Sequence, residues 1–350
     1  MKKNKLIVTI FLFIIIIASL FYSIINKKNA GSTIAEPISK SGYFLDTLID
    51  IKLYDNGTEE MIDEMFTILK DIEGKMSIHI IDSEVSTINS NSGVDAVKVS
   101  PDTLAVIQRG EYYSKLSNGN FDITVGPLVS LWNIGSDEAK LPTQNEIDKA
   151  LNLIDYTKVT IDEANSTVKL EDENMSIDLG GIAKGYAADK LAEYLTSKNV
   201  KSALISLGGN IFALGSKANG EDWSIGIQNP FDTRGDYFAI LKVSNKTVVT
   251  SGVYERFLEV DGEIYHHILS PFNGYPVDNN LMSVTIIADK SIDADGLSTT
   301  IFALGVDKGL ELINSLDGVS AIFVTKDKEV YISSGVDNFS ISNNEFKLMD

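Results

Sequence analysis

The stretch 175–189, read M-S-I-D-L-G-G-I-A-K-G-Y-A-A-D, constrains this chain more than any other. A short apolar run carries Asp178 near its end and is broken by Gly180-Gly181. Beyond the glycines, Ile182, Tyr186, Ala187, Leu191 and Leu195 recur at helical spacing. That order predicts a strand, a glycine turn and a helix start, with backbone N–H groups left unpaired beside Asp178 and Lys184. Such a corner suits a phosphate, because the N–H groups and the helix dipole both favour negative charge. Gly-Gly before a helix is equally ordinary turn chemistry. On this segment alone both readings stand.

The N-terminus sets a second constraint. Lys2, Lys3 and Lys5 precede residues 6–25, which carry no charge and only Thr9, Ser19 and Ser23 as polar interruptions. At about 1.5 Å per residue the run can cross a hydrocarbon core of roughly 30 Å. A cleaved signal peptide usually has a shorter apolar region and a small-residue cleavage site. Residues 1–28 are therefore expected to be an uncleaved membrane anchor, with a cleaved signal as the alternative and secretion as its consequence. Three lysines and the amino terminus before the span, against Lys27 and Lys28 after it, place the N-terminus inside and the body on the extracytoplasmic side. The sequence has no cysteine, so an exported body must be held by its core or its ligands rather than by disulfides.

Residues 29–41 read as a linker, and 42–350 suit one large domain or two fused halves, long enough to bury a sizeable core. The chain's net charge is −19, and removing the five lysines of residues 1–28 leaves −24 on the rest. An acidic exterior argues against nucleic acid, whose backbone it would repel. It does not oppose a metal or a metal-bound diphosphate.

Along the body, strand-like runs alternate with helical ones, and an Asp261-Gly262 pair marks a hairpin. Residues 58–75 place Met61, Ile62, Met65, Phe66, Leu69 and Ile72 on one helical face, and Thr143 with Glu146 forms a capping box. Two helices are expected at 292–304 and 310–316. Runs of strands interrupted by helix pairs point to an α+β fold rather than a doubly wound parallel sheet.

Three segments carry candidate chemistry. In I-D-A-D-G-L-S-T-T, residues 292–300, Asp295 and Thr299 are i, i+4 on a helix, with Ser298 beside them. Oxygen ligands at that spacing suit a hard cation such as Mg²⁺, whereas helix N-capping by Asp293 or Asp295 is the plain structural alternative. His266 and His267 are adjacent, so in an extended segment they point to opposite faces and one could reach a site as a general base. A histidine at a strand end is otherwise commonly structural, and with only three in the chain, His79 being the third, a His-rich zinc site is not expected. Thr250–Arg256 and Gly208-Gly209-Asn210 read either as polar turns or as approaches to a ligand.

Taken together these segments resemble the ApbE-type FAD:protein FMN transferases over residues 42–348. The matching blocks keep their order. They run L-D-T from Leu45, M-S-x-x-x-x-D-S-E from Met76, F-D-I-T-V-G-P-L from Phe121, D-L-G-G-I-A-K-G-Y-A-A-D from Asp178 and L-G-G-N from Leu207. T-S-G-x-Y-x-R from Thr250, H-I-x-x-P-x-x-G-x-P from His267 and D-A-D-x-x-x-T from Asp293 complete the series. The resemblance implies a T-fold-like α+β domain that uses Mg²⁺ and FAD. FAD is split at its diphosphate, FMN passes to a Thr or Ser hydroxyl of an acceptor protein, and AMP leaves. It implies that Leu45, His79, Phe121, Asp122, Ile123, Asp178, Lys184 and Ile268 line FAD. Gly181 through its carbonyl, Asp295, Thr299 and Ser298 would hold Mg²⁺, and His267 would be the catalytic base. The sequence departs from the family pattern at His79, where an aromatic is common, and at Ser270 and Asn273, where Asp and Thr are usual.

The acceptor is expected to be a separate exported or membrane redox protein, because the S/T-G-A-T type of run that the family recognises does not occur in this chain. Two other functions fit the same residues: an Mg²⁺-dependent FAD pyrophosphatase giving FMN and AMP, and a non-enzymatic surface flavin-binding protein.

Overall fold

A computed structural model of the chain describes residues 36–349. The expected anchor, residues 1–28, lies outside them, and among the described residues no helix is long and apolar enough to cross a membrane. The expected linker ends earlier than its composition suggested. Strand β1 (Ile38–Phe44) already pairs antiparallel with β2 (Thr47–Leu53), Ile38 opposite Leu53, so its first residues belong to a sheet edge.

In chain order there follow helices α1 (Glu59–Met76) and α2 (Glu84–Ser90), strand β3 (Val97–Lys98), and helices α3 (Pro101–Leu116), α4 (Gly126–Trp132) and α5 (Gln144–Leu151). Next come β4 (Val159–Asp162), β5 (Thr167–Leu170), helix α6 (Ala183–Ser197), β6 (Ala203–Leu207), β7 (Asn210–Leu214), β8 (Trp223–Gln228), β9 (Tyr237–Val243) and β10 (Lys246–Gly252). The hairpin β11 (Phe257–Val260) and β12 (Glu263–His266) leads to β13 (Leu281–Ala288) and helix α7 (Ser291–Asn314). Strands β14 (Ser320–Thr325), β15 (Glu329–Ile332), β16 (Phe339–Ile341) and β17 (Lys347–Leu348) end the described chain.

Among the described residues nine strands form the principal sheet in the order β1-β2-β6-β7-β10-β13-β14-β15-β17, antiparallel throughout except for the last pair. Its central strands read as nearly continuous apolar runs because both faces are covered. On one face Val249, Ile286 and Phe323 pack beneath α1, α6 and α7 with Leu69, Leu191 and Ile301. On the other, their neighbours Val248, Ile287 and Ile322 meet Trp223, Ile225, Phe238 and Leu241 of the small sheet β16-β9-β8. Successive residues of a strand point to opposite faces, so one run such as Val248-Val249 feeds two cores. The α+β class holds.

Helix α1 begins where expected: the Thr58 hydroxyl accepts from the Met61 N–H, and Ile62, Met65, Leu69 and Ile72 form the buried stripe. The Thr143–Glu146 capping box is also present. The two helices expected at the C-terminal end are present as the two arms of α7, which meet at a kink at Gly305 (φ 79°, ψ −177°), a conformation available to glycine alone among the common residues. One expectation changes: the run before Gly180-Gly181 is not a ladder strand. Its backbone is satisfied by the Asn89 amide, which both accepts from the Ile177 N–H (2.8 Å) and donates to the Ile177 carbonyl (3.0 Å), and by the Ile123 carbonyl, which accepts from the Asp178 N–H (2.8 Å).

Candidate active site

Helices α6 and α7 lie side by side, and each caps the other. The Asp295 carboxylate of α7 accepts the Gly185 N–H in the first turn of α6 (2.8 Å), and the Asp189 carboxylate of α6 accepts the Ser291 and Ile292 N–H groups that open α7 (2.7 and 2.9 Å). Burial pushes the Asp189 carboxyl up to about 6. Gly185 makes this closeness feasible: a Cβ there would stand 2.2 Å from the Ser291 carbonyl and 2.7 Å from the Asp295 Cβ. Neither Asp293 nor Asp295 caps its own helix, contrary to the plain reading of that segment. Asp293 instead takes the Arg109 Nε–H at 2.6 Å.

Part of the phosphate corner expected at the start of α6 is filled by the chain itself. The Ile182 and Ala183 N–H groups are taken by the Leu179 carbonyl, the Gly180 N–H by Asp178, and the Gly185 N–H by Asp295. The helix pole thus already meets a carboxylate of the chain, whose negatively charged oxygens favour a cation beside them.

A cavity of about 960 Å³ opens beside Asp295, at the upper end of the roughly 300–1,000 Å³ typical of ligand pockets. Of the residues singled out in the sequence, Leu45, His79, Phe121, Asp122, Asp178, Gly181, Lys184, His267, Ile268, Asp295 and Thr299 line it together. Asp295 and Thr299 share the expected helix face. The Thr299 Oγ1 is 3.6 Å from the point a Gly181 Cβ would occupy, which brings residues more than a hundred positions apart into one corner. Lys184 reaches into the same corner, donating to the Gly180 carbonyl at 3.0 Å with its Nζ 3.8 Å from the Asp295 Oδ1.

Two expected residues stand elsewhere. Ile123 is buried in the main core, 1% exposed, and meets Gly110 of α3 rather than the cavity. Ser298 is fully buried, bonded to the Ser251 hydroxyl (2.8 Å) and donating to the Asp295 carbonyl (2.8 Å), so it braces α7 against β10. Ser270 and Asn273 serve a turn, accepting from the Phe272 and Tyr275 N–H groups.

The adjacent histidines divide as their alternation predicted. His266 turns inward, its ring edge-on to Phe302, with Nε2 bonded to the Val277 carbonyl (3.1 Å). His267 faces the cavity. Its Nδ1 is 3.2 Å from the Arg256 carbonyl, which can only accept, so Nδ1 carries the proton and Nε2 presents its lone pair. Desolvation by the surrounding walls pushes the imidazole down to about 4, so it is neutral near pH 7. Burial also pushes the carboxyls of Asp122 and Asp178 up, opposed only in part by the Thr124 hydroxyl and N–H and by the Gly180 N–H respectively.

Several lining residues were not singled out as site residues. The turn between β1 and β2 puts Leu45 and Asp46 at φ 52° and 54°. It is held from both sides, by Glu73 accepting the Leu45 N–H (2.8 Å) and by Arg256 donating to the Asp46 carbonyl (2.9 Å). Glu73, in the last turn of α1, carried no signal of this role. Asn210, noted in the sequence only as part of a glycine turn, donates to the Asp295 Oδ1 at 2.9 Å.

Residues 45–323 match the model of the ApbE family. The chain belongs to the ApbE family. Among its curated relatives, the FAD:protein FMN transferase of Klebsiella pneumoniae (strain 342) is 38% identical over 296 residues, covering 85% of this chain and 92% of that one. The FAD:protein FMN transferase of Treponema pallidum (strain Nichols) is 36% identical over 315 residues, covering 85% and 87%. The solved flavin transferase ApbE from Vibrio cholerae superposes with a TM-score of 0.77 at 28% identity, covering 87% of this chain and 99% of that chain. The ApbE protein from Thermotoga maritima MSB8 gives 0.78 at 31%, covering 85% and 97%. The ApbE-like α+β fold is therefore common to all three.

Proposed function

We propose that this chain is an FAD:protein FMN transferase. In this reading FAD is its substrate, the FMN phosphoryl passes to a Thr or Ser hydroxyl of an exported or membrane acceptor protein, and AMP leaves. Residues 1–28 would anchor it in the membrane with the catalytic body, from β1 onward, on the extracytoplasmic side. The names of its curated relatives support the activity. The observation that carries the chemistry is the meeting, in one cavity, of a neutral His267 with an available Nε2 lone pair and the oxygens of Asp295 and Thr299 beside Gly181.

Attack of a hydroxyl on phosphorus with a nucleotide leaving depends mainly on positioning and charge neutralisation. His267 Nε2 would accept the acceptor hydroxyl's proton, while the Arg256 carbonyl holds the ring's orientation through Nδ1. Lys184 would meet a diphosphate oxygen and offset part of its charge. Leu45 and Phe121 supply apolar walls, and His79, 67% exposed at its side chain, stands at the mouth beside Asp46.

Among the described residues no group of three or more His, Cys, Asp or Glu is placed to hold a metal ion. The donors present are one carboxylate (Asp295), one hydroxyl (Thr299) and the Gly181 backbone. That set fits Mg²⁺, which is commonly bound by one or two carboxylates with substrate phosphates and waters completing its shell. Bound there, Mg²⁺ would neutralise the diphosphate charge that grows as the P–O bond breaks.

The test is to incubate the full chain with FAD, Mg²⁺ and candidate exported proteins and to seek an added FMN on Thr or Ser by mass spectrometry, with AMP measured in parallel. FMN and AMP formed equally without any acceptor would favour the pyrophosphatase. Flavin release unchanged in His267→Ala would favour a binding protein.

A further inference from the structure

We infer that Asn210 is a positioning residue for Asp295: its side-chain amide holds the carboxylate oriented toward the cavity and keeps Lys184 from closing on it. The inference rests on the reading that Asp295 receives a divalent cation.

Asn210 opens β7 directly after the Gly208-Gly209 turn, whose φ values of 64° and 106° bring the chain straight back along β6. The hairpin tip has no slack, since a Cβ on Gly208 would stand 2.2 Å from the Thr47 Oγ1 of β2. Asn210 is itself only 4% exposed. Its amide is therefore delivered by a rigid corner of the principal sheet, not by a mobile surface loop.

On the carboxylate, Oδ2 takes the Gly185 N–H at 2.8 Å and Oδ1 takes the Asn210 Nδ2–H at 2.9 Å. Two donors on two different oxygens fix rotation about the Cβ–Cγ bond and leave further lone pairs toward the cavity. Both donors are uncharged, so the full negative charge stays available to an incoming cation. Lys184 is the competitor. Its Nζ is held at the Gly180 carbonyl, 3.8 Å from the same Oδ1 that Asn210 occupies. An ammonium paired tightly with a carboxylate settles at about 2.8 Å. Without the amide, nothing occupies that direction on Oδ1, and Lys184 has a shorter, charge-assisted bond within reach. The cation would then have to displace it.

The experiment measures Mn²⁺ binding to the full chain by electron paramagnetic resonance, with and without ADP as a diphosphate probe, in wild type, Asn210→Leu, Asn210→Ala and Asn210→Leu combined with Lys184→Met. Loss of a group that orients a metal ligand typically weakens metal binding about 10- to 100-fold, and that is the expected loss in both single variants. The Mg²⁺ concentration for half-maximal activity should rise in proportion, while kcat at saturating Mg²⁺ and the melting temperature stay close to wild type. Adding Lys184→Met should restore much of the Mn²⁺ affinity measured without ADP. If Asn210→Leu fails to fold, Asn210→Ala carries the same comparison. Mn²⁺ binding within twofold of wild type in the folded single variants overturns the inference, as does a fall in kcat and melting temperature with metal affinity unchanged. If wild type itself binds no Mn²⁺, with or without ADP, the cation reading beneath the inference falls instead.

Discussion

His267 donates its Nδ1 proton to the Arg256 carbonyl, and desolvation brings its imidazole down to about 4 from an ordinary 6.5. Two pH effects follow with definite signs. The unfolded chain binds a proton at this position below about 6.5, whereas the folded chain resists it until about 4. The group's contribution to stability is thus present above pH 6.5 and is lost as pH falls from 6.5 through 4. Catalysis reads the same group twice. The profile of kcat/KM reports the free protein, so its acid limb from His267 should lie near pH 4; kcat reports the complex, where diphosphate charge favours the imidazolium. We expect the His267 limb of kcat to sit at higher pH than that of kcat/KM, and His267→Ala to lower kcat by about 10²–10⁴-fold at pH 7 and remove both limbs. Coincident limbs in wild type, measured at saturating Mg²⁺, would contradict the assignment.

The reciprocal capping of α6 and α7 makes one glycine a structural requirement. Gly185→Ala would force a Cβ against the Ser291 carbonyl and the Asp295 Cβ, so the helices must separate. Overpacking of this kind costs about 1–3 kcal/mol, and it pulls Asp295 from the Gly185 N–H. The expected outcome is a lower melting temperature together with a higher Mg²⁺ requirement; a variant as stable and as Mg²⁺-responsive as wild type would show that the helices need not be this close. This pair also shows what a sequence can and cannot disclose. Helix α1 was legible because its apolar stripe and Thr58 cap are local, and the Asp295–Thr299 face was legible because i, i+4 is a property of one helix. The irregular run at 175–179 has the alternation of a strand, but its partner is the Asn89 side chain, 88 positions away from Ile177. The roles of Asp189, Glu73 and Asn210 were hidden for the same reason: each acts on a backbone or side chain supplied by a distant element. Spacing and the family resemblance both offer Ser298 as a ligand, and only the packing of α7 on β10 shows its hydroxyl already engaged.

At the scale of the molecule, the net charge and the site point the same way. The chain beyond its first 28 residues carries −24, and the cavity is lined by six carboxylates (Asp46, Glu73, Asp122, Asp178, Glu255 and Asp295) against two fixed cations, Lys184 and Arg256. A diphosphate ester approaching such a body is repelled at long range. Its recognition should therefore depend on a divalent cation more than on side-chain positive charge. Exposed and half-exposed charges are screened by salt over a Debye length of about 10 Å at 0.1 M. In the presence of a chelator, raising NaCl should then tighten FAD binding or leave it unchanged, because what is screened is net repulsion. A pocket that grips phosphate with lysine and arginine would weaken under the same change. Adding Mg²⁺ should strengthen FAD binding by at least about tenfold at low salt, an amount corresponding to roughly 1.4 kcal/mol, and Asp295→Asn should abolish most of that gain while leaving the chelated baseline unaltered or slightly tighter. Flavin fluorescence titration across a salt series, with chelator and with Mg²⁺, measures all three. Chelated binding that falls steeply with salt would mean that Lys184 and Arg256 outweigh the surrounding carboxylates, and that the charge balance of the whole does not govern this site.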